Sequence, residues 1–442
     1  MRKTLTAAMC CLAMGAAAQT ITPEVMNEIR HSWQGNATDR ALQNAVTANA
    51  INLLVSNHAS KGEANMEFTY QVPTHGISNQ KSSGRCWLFT GMNVLQNLTL
   101  DTQRAEGQEK PQSLELSHVY ISFHDLLEKS NLFLQNIIDT RKLPMNDRLV
   151  DFLVKHPLNE GGTFTGVADM VEKYGLVPAS VMPETYQSEN SNAMLTYIKT
   201  VLRRSVSTLR RDPSKKVAVL KDVYRILVMC CGEPPQSFQW NGKTYTPHSF
   251  RNEVCPRAAE LRDYVMLAND PLRPYYKIYD VALDRHSYEG HDWCHLNLPW
   301  EEMAEVAIAS LRDTTAMYFS CDVGKRLDRN SGKLDLDNFD VEALLGVKLD
   351  MPKAEAIQTY ESGSSHAMTL VGVAIENDKP VRWKIENSWG ANNGANGHLV
   401  ATDAWMKMYA YRLVVNKKYL SEKTRKLLGQ KPVELPAWDY LY

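Results

Sequence analysis

Three side chains that lie far apart along the sequence have the types needed for nucleophilic catalysis by a thiol. Cys86 follows Gly84 and begins an apolar helix pattern, where the partial positive charge of a helix N-terminus favours the thiolate. His366 opens an apolar strand pattern, and Asn387 ends another. A cysteine nucleophile needs a base for its proton, and that base needs a partner that fixes its second nitrogen. Cys86, His366 and Asn387 could fill these three roles.

Each of the three residues also fits a purely structural role when it is considered alone. A cysteine in an apolar helix can be buried and inert, a histidine beside a strand can pack in a core, and an asparagine after a strand can belong to a turn. Gln80 favours the chemical interpretation, because it lies only a few residues before Cys86. Its side-chain amide and the Cys86 N–H could both point at one oxyanion.

The elements that must position these residues change in type along the chain. Residues 84–100 carry leucine and methionine at steps of three and four, which predicts an amphipathic helix, and residues 116–127 predict a second one. Short apolar runs follow at 317–321, 367–375 and 381–385 and predict strands. Because the helices come first and the sheet comes last, the sequence predicts an α+β fold.

The overall composition excludes several classes of protein. The chain has 442 residues, of which 44% are apolar and 22% charged, so disorder is excluded as its main state. Its formal net charge is −1, which argues against a protein that mainly binds nucleic-acid phosphates or an anionic membrane.

The first residues have the pattern of an export signal. Arg2 and Lys3 form a basic head, residues 5–15 are apolar, and small residues at 16–18 precede a cleavage position before Gln19. This pattern predicts a signal peptide over 1–18 and a mature chain that is periplasmic or secreted. No other segment approaches the roughly 20 apolar residues of a membrane helix, so we expect no membrane span in the mature chain.

The cysteines and histidines do not form a recognisable metal site. There is no C-x-x-C motif, and six cysteines in so long a mature chain are no disulfide scaffold. One short segment, however, contains His286, His291, Cys294 and His295. Their spacing fits no standard zinc pattern, so we expect neither a metal nor another cofactor.

Seven stretches of the chain carry a family resemblance. They are QKSSGRCWLF at 80–89, the glycine pair of LNEGGTF at 161–162, EKYGLVP at 172–178, CDVGK at 321–325, SHAM at 365–368, ENSWG at 386–390 and LPAWD at 435–439. Together they resemble the papain-like cysteine peptidases, and within these the bleomycin hydrolase/aminopeptidase C branch. The separation of Cys86 from His366 is 280 residues, against roughly 130–150 in papain-type chains, which implies large insertions.

The resemblance implies an α+β, papain-like two-lobe cysteine peptidase fold with a helical lobe, an antiparallel β-barrel-like lobe and large helical insertions. The peptidase would occupy 19–442 after the signal peptide. Its expected parts are a helical lobe with the nucleophile at about 60–190, a helical insertion at about 191–265, a β-rich lobe with the histidine and asparagine at about 266–430, and a tail that enters the cleft at 431–442.

The resemblance also implies a role for each residue of the catalytic site. Cys86 would be the nucleophile, and His366 would be the imidazolium partner that protonates the leaving amine. Asn387 would orient His366, and Trp389 would shield that hydrogen bond from water. Gln80 would hold the oxyanion together with the Cys86 N–H.

Three further residues would bind substrate if the resemblance holds. Gly161 and Gly162 match a glycine pair whose bare backbone lets a substrate strand bind alongside. The chain ends at Tyr442, whose carboxylate would meet the α-ammonium of the substrate inside the cleft.

The expected function is that of a thiol peptidase that removes N-terminal residues from peptides through an acyl-enzyme. Its expected partners are peptide substrates and further copies of the chain in a homohexamer, while nucleic acid is not expected. Because the tail is shorter than is usual in the family, the same site could instead act as a dipeptidyl peptidase or an endopeptidase. The sequence also leaves open an acyltransferase of the transglutaminase type and a nucleic-acid-binding ring that uses the basic run at 203–216.

Overall fold

The computed structural model describes residues 20–33, 35–105 and 114–440 of the chain. The chain divides into two compact units. Of the described residues, those up to 59 and those at 339–349 belong to the first unit, and all the others belong to the second.

The α-helices follow one another along the described residues. They are α1 Pro23–Ser32, α2 Ala37–Ala48, α3 Ile51–Leu54, α4 Cys86–Ala105, α5 His118–Asp139, α6 Arg148–Lys155, α7 Phe164–Tyr174, α8 Tyr186–Glu189, α9 Asn192–Arg211, α10 Lys216–Cys231, α11 Pro247–Val254, α12 Trp300–Arg312, α13 Val341–Leu345, α14 Lys353–Gln358, α15 Asp403–Tyr409 and α16 Glu422–Leu427.

Most of the strands join one large, mainly antiparallel sheet. The strands are β1 Tyr70–Gln71, β2 Phe238–Trp240, β3 Lys243–Tyr245, β4 Tyr264–Ala268, β5 Ile278–Val281, β6 Trp293–Asn297, β7 Met317–Cys321, β8 Leu327–Asp328, β9 Lys333–Leu334, β10 His366–Glu376, β11 Lys379–Glu386, β12 His398–Thr402, β13 Ala410–Asn416 and β14 Val433–Leu435. The order in the sheet is β14-β5-β6-β4-β13-β7-β10-β11-β12-β9-β8, with β1 paired to β10 and a separate β2–β3 hairpin.

The first unit is built from short, polar helices. In α2, the Asn36 side chain accepts hydrogen bonds from the first-turn N–H groups, and Asp39 accepts a bond from the Asn36 N–H in return, which forms a capping box. Helices α1, α2 and α3 contain no buried residue. Their stability therefore depends more on local capping than on burial of apolar surface.

The second unit has one apolar core among its helices and another in its sheet. The helical core contains Trp87, Leu88 and Met92 of α4 together with buried residues of α5, α7, α9 and α10. The sheet core contains Trp383 of β11 and is covered by residues of α12. The predicted α+β arrangement is thus present, since the helices precede the strands along the chain.

The hairpin of β10 and β11 carries two of the candidate catalytic residues. Asn377 and Asp378 form its turn and both have positive φ, a geometry that matches the twist of the paired strands. The register pairs Thr369 with Glu386, so His366 at the start of β10 and Asn387 just after β11 lie at the same end of the hairpin.

The segment at 191–265 is more varied than a helical insertion. It contains α9, α10 and α11, but also the β2–β3 hairpin and the first residues of β4. Arginines of its basic run bond to neighbouring segments: Arg203 donates to the Val154 and Lys155 carbonyls, and Arg210 donates to the Thr140 carbonyl. The domain boundaries drawn from the sequence stay a prediction.

None of the helices in the described residues combines the length and the apolar character that a membrane crossing requires.

The close packing of α4 on α7 gives a prediction about stability. A Cβ at Gly91 would lie 2.6 Å from Cγ2 of Val167, nearer than side-chain atoms approach each other. Gly91→Ala should therefore lower the free energy of unfolding by about 1–3 kcal/mol, although alanine favours helices more than glycine does. Denaturant unfolding measures this change. Adding Val167→Ala should recover part of the loss, and an unchanged or higher stability of the single variant would contradict the packing argument.

Candidate active site

The candidate nucleophile lies at the first residue of α4, behind a tightly held turn. The N–H of Gly84 donates to Oε2 of Glu160, and a Cβ at Gly84 would lie only 3.0 Å from that oxygen. Arg85 is 1% exposed and forms an ion pair with Glu184 at 2.9 Å. These contacts fix the backbone before the helix, so that Cys86 begins α4 in a partly buried position.

The Cys86 thiol is affected by opposing electrostatic influences. Burial raises the pKa of Cys86, while hydrogen bonds from the N–H groups of Ala367, Trp87 and Cys86 itself lower it. The Glu160 carboxylate raises the pKa further because a second negative charge nearby disfavours the thiolate. The lowering by Trp87 and Cys86 matches the helix N-terminus effect expected from the sequence.

His366 and Asn387 form the hydrogen bond that the sequence predicts. Nε2 of His366 lies 2.8 Å from Oδ1 of Asn387, and both residues are buried. An amide oxygen can only accept, so Nε2 carries the hydrogen and Nδ1 is left with a lone pair. The Ser388 N–H donates to the same Oδ1 at 2.8 Å, which fixes the amide. Burial lowers the pKa of His366 to about 4, although the hydrogen bond to Asn387 raises this pKa in part.

Trp389 covers the histidine ring. The two rings stack with centroids 4.9 Å apart and planes 28° apart. Such stacking excludes water from one face of the imidazole, which strengthens the hydrogen bond to Asn387 in a medium of lower dielectric constant.

Cys86 and the start of β10 lie side by side. The Ala367 N–H that bonds to the Cys86 thiol belongs to the residue directly after His366. Cys321, which pairs with His366 across β7 and β10, is also within electrostatic range of Cys86. The structure therefore brings the helix start and the strand start together, as the sequence predicts.

Gln80 is held by contacts at both ends of its amide. Its Oε1 accepts from the Ser388 hydroxyl at 2.6 Å, and its Nε2 donates to the Ser83 carbonyl at 2.7 Å. The Gln80 N–H also donates to the Ser388 carbonyl at 2.9 Å. This network couples Gln80 to the residue after Asn387. Among the described residues, only Ser83 engages an Nε2 hydrogen, so one N–H is left for another acceptor.

The glycine pair is enclosed by a buried polar cluster that the sequence did not reveal. A Cβ at Gly162 would lie 2.2 Å from the His286 ring and 2.8 Å from the Trp87 ring. Lys129 donates to the Gly161 carbonyl at 2.6 Å and to Asp125 at 2.8 Å. Steric packing thus explains Gly162.

His286 belongs to this cluster and not to a metal site. Its Nδ1 lies 2.5 Å from Oδ1 of Asp125, and its Nε2 accepts from the Thr163 N–H at 3.2 Å. His291 instead bonds to Asp169. Within the described residues, no group of three or more histidine, cysteine, aspartate or glutamate side chains is placed to hold a metal ion. The sequence feature that could have predicted this cluster is the spacing of Asp125 and Lys129, which places two opposite charges on one face of an apolar helix.

The C-terminal tail runs along the edge of the sheet to the glycine pair. Strand β14 pairs in parallel with β5, and Ala437 beyond it lines a cavity of about 100 Å³ together with Gly161 and Gly162. The Trp438 ring lies 4.2 Å from the Arg148 guanidinium, and Asp439 forms an ion pair with Arg273. Tyr442, the predicted partner of the substrate ammonium, lies outside the described residues.

Comparisons with known proteins agree with this geometry. Residues 20–442 match the model of the Peptidase C1-like family. The chain is 33% identical to aminopeptidase C of Listeria monocytogenes, with 95% of this chain and 98% of that protein covered. It is also 33% identical to aminopeptidase G of Lactobacillus delbrueckii subsp. lactis, with coverage of 95% and 99%.

A solved structure is similar over nearly the whole chain. The crystal structure of PepW from Lactobacillus rhamnosis has 34% identity and a TM-score of 0.89, and covers 96% of this chain and 99% of its own. The prediction of a papain-like fold is confirmed.

The predicted localisation is wrong. The related aminopeptidases are cytosolic enzymes, which contradicts export to the periplasm or the medium. The predicted signal peptide at 1–18 lies outside the described residues. The thiols give a physical reason for the correction. All six cysteines of the described residues are free, including the exposed Cys294, and free thiols persist in a reducing compartment.

The position of Glu160 predicts a change in the reactivity of Cys86. Glu160→Gln removes a negative charge that raises the pKa of Cys86, while it keeps an oxygen acceptor for the Gly84 N–H. The variant should therefore form the thiolate at lower pH than the wild type does. The rate of Cys86 alkylation by iodoacetamide, followed by peptide mapping across pH, measures this shift.

Ser191→Ala is the control for that experiment. It removes a hydrogen bond to the same Glu160 oxygen, 2.7 Å long, but leaves the charge in place. The control should alkylate with a midpoint close to that of the wild type. A Glu160→Gln midpoint that stays the same or moves to higher pH would show that the carboxylate does not act on the thiol.

Proposed function

The chain belongs to the Peptidase C1-like family, and we propose that it is a cysteine-type aminopeptidase that removes N-terminal residues from peptides through an acyl-enzyme. Its curated relatives are named aminopeptidases C, G and E. They match the chain over nearly its full length, which supports carrying the activity over to the whole chain.

One arrangement carries the proposal. The sulfur of Cys86 receives a hydrogen bond from the residue after His366, and the far nitrogen of His366 is bonded to Asn387. The thiol thus lies beside the strand that begins with the imidazole, and the imidazole is bonded to an amide, which supports the roles of nucleophile, proton acceptor and orienting group. We assign Cys86, His366 and Asn387 to those three roles.

The chemistry follows from these assignments. The Cys86 sulfur attacks the scissile carbonyl carbon, and His366 holds the thiol proton. Collapse of the tetrahedral intermediate breaks the C–N bond while His366 delivers that proton to the leaving amine. Water then attacks the thioester, His366 takes a proton from the water, and the thiol is regenerated as the N-terminal residue leaves as a free acid.

The thiolate of Cys86 and the imidazolium of His366 should form together, by transfer of one proton from sulfur to nitrogen. Burial raises the pKa of Cys86 and lowers that of His366, so each group on its own favours its neutral form. When the proton moves from sulfur to imidazole, the two opposite charges form next to each other and attract strongly at low dielectric constant. In that case the two groups would titrate as one unit.

Gln80 and the glycine pair take the supporting roles. The remaining Nε2 hydrogen of Gln80 and the Cys86 N–H would donate to the oxyanion, and the network through Ser388 keeps Gln80 in place. Trp389 would protect the bond between His366 and Asn387. Gly162, whose backbone the described residues leave unbonded, would pair with the substrate strand.

The tail limits the length of substrate that the site accepts. It lines the same cavity as the glycine pair, and the contacts of Trp438 and Asp439 hold it there. A role for the Tyr442 carboxylate stays a prediction. The comparisons give no support to a dipeptidyl peptidase, an endopeptidase or a nucleic-acid-binding ring. Asn387 in the orienting position argues against a transglutaminase-type enzyme, which would normally use an aspartate.

Hydrolysis of matched peptide amides tests the proposed activity. Wild-type protein should hydrolyse peptides with a free N-terminus and leave the N-acetylated forms largely intact. Cys86→Ala should lower kcat/KM on the free peptides by about a thousandfold or more, because no other group supplies the nucleophile. Cys294→Ala removes an exposed thiol and should retain full activity. Undiminished hydrolysis by Cys86→Ala would rule out the assignment of the nucleophile.

A ring-shaped homohexamer, implied by the family resemblance, is the proposed assembly. Large apolar side chains are exposed on α8, α9 and α10 and would gain from burial between subunits: Tyr186, Tyr197, Val217 and Met229. Light scattering should give a mass about six times that of the chain. Met229→Lys should reduce this mass by placing a charge in the interface, and a monomer mass for the wild type at all concentrations would contradict the proposal.

A further inference from the structure

A short turn between β8 and β9 presents an exposed arginine close to the candidate catalytic histidine. Arg329 lies in this turn, and its guanidinium carbon is 5.3 Å from the centroid of the Trp389 ring. Trp389 is the residue that stacks on His366, with 4.9 Å between the two ring centroids. A positive charge therefore lies beside the ring that covers the imidazole.

The turn that carries Arg329 is held by its own hydrogen bonds and by the loop after Trp389. Both carboxylate oxygens of Asp328 accept hydrogen bonds within the turn, at 3.0 and 2.7 Å. Gly332, whose φ is 74°, packs so closely on that loop that a Cβ would lie 2.8 Å from the Ala395 nitrogen. The backbone of Arg329 thus has few alternative positions relative to Trp389.

The guanidinium of Arg329 is available to a ligand. It forms no ion pair and no hydrogen bond with any of the described residues. Its cationic neighbours Lys325 and Arg326 are each paired with an acidic side chain, and Asp328 uses its oxygens inside the turn. A guanidinium that stacks on an aromatic ring keeps the N–H groups at its edge for a carboxylate, which it binds with two parallel hydrogen bonds.

The leaving part of the substrate lies on the same side as this arginine in the proposed reaction. His366 delivers its proton to the leaving amine, so the residues after the scissile bond extend from the imidazole. Two residues of an extended peptide span roughly 7 Å, which exceeds the 4.9 Å between the ring centroids of His366 and Trp389. An acidic group on the first or second residue after the bond can therefore approach Arg329.

We propose that Arg329 binds a carboxylate in the leaving part of the substrate, so that the enzyme favours peptides with an acidic group one or two residues after the scissile bond. This inference rests on the proposed aminopeptidase function and names the substrate class that this function prefers. Two groups can supply the carboxylate: the side chain of an aspartate or glutamate, and the free C-terminus of a dipeptide or tripeptide. Because the contact is exposed to solvent, its effect should be modest and should decrease at high salt.

Hydrolysis of two substrate pairs by Arg329→Gln tests the proposal. One pair is alanyl-glutamyl-alanine amide and its glutaminyl analogue, and the other is trialanine and its C-terminal amide. The variant should lower the acidic-over-neutral ratio of kcat/KM by about twofold to fivefold in at least one pair, mainly through KM, because it removes the charge that attracts the carboxylate. High salt should lower the wild-type ratio in the same pair. The pair that responds identifies the source of the carboxylate.

Arg312→Gln is the matched control. Arg312 ends α12 and is also exposed, and its guanidinium carbon lies 5.3 Å from the centroid of the Tyr70 ring. Tyr70 pairs with Val373, in the half of β10 away from His366, so this variant removes the same charge and the same kind of ring contact at a distance from the site. It should keep both wild-type ratios. An equal change in the two variants would indicate an effect of net charge and overturn the assignment, as would unchanged ratios in Arg329→Gln.

A binding measurement separates this inference from the proposed function. Calorimetry on Cys86→Ala protein with the same peptides should show that the acidic member of at least one pair binds about twofold to fivefold more tightly, and adding Arg329→Gln should remove this difference. If the wild type hydrolyses none of the peptides but the difference is present and depends on Arg329, the proposed function fails and the carboxylate contact stands. If hydrolysis depends on Cys86 and neither the kinetic ratios nor Kd respond to Arg329→Gln, only the carboxylate contact fails.

Discussion

The docking of the α4 N-terminus against the first residues of β10 is the contact on which the site depends. Here the thiol of Cys86 accepts a hydrogen bond from the Ala367 N–H. The hairpin of β10 and β11, to which Ala367 belongs, also carries His366 and Asn387, which are bonded to each other. A helix start supplies aligned N–H groups that favour negative charge, and a strand start holds the imidazole in place. Neither element could create this environment alone, because the thiol and the imidazole come from opposite parts of the chain.

The helix and hairpin stay in place because buried polar groups are paired across segment boundaries. Glu160 binds the turn before α4, Lys129 and His286 bind the glycine loop, and Gln80 binds Ser388 beside Asn387. An unpaired polar group in such surroundings would cost more than these bonds contribute, so the loops have few alternative conformations.

The proposed restriction to N-terminal residues would depend on where the tail lies relative to the glycine loop, since both line the same cavity. A cleft that is open at both ends accepts the interior of a chain, while a segment laid across one end accepts only a terminus. Here β14 attaches the tail to the sheet, and Trp438 and Asp439 attach it beyond the strand.

Local patterns in the sequence were sufficient to predict several of the elements and to propose the candidate catalytic residues. Residue periodicity predicted the helix from 84 and the strands at 317–321 and 381–385, because burial of one face imposes spacing on neighbours in sequence. Motif chemistry and the family resemblance proposed Cys86, His366, Asn387 and Gln80 as catalytic residues. Only the tertiary structure revealed the cluster of Asp125, Lys129 and His286 around the glycine pair, since its members come from distant segments and a side chain's charge environment depends on folded distances.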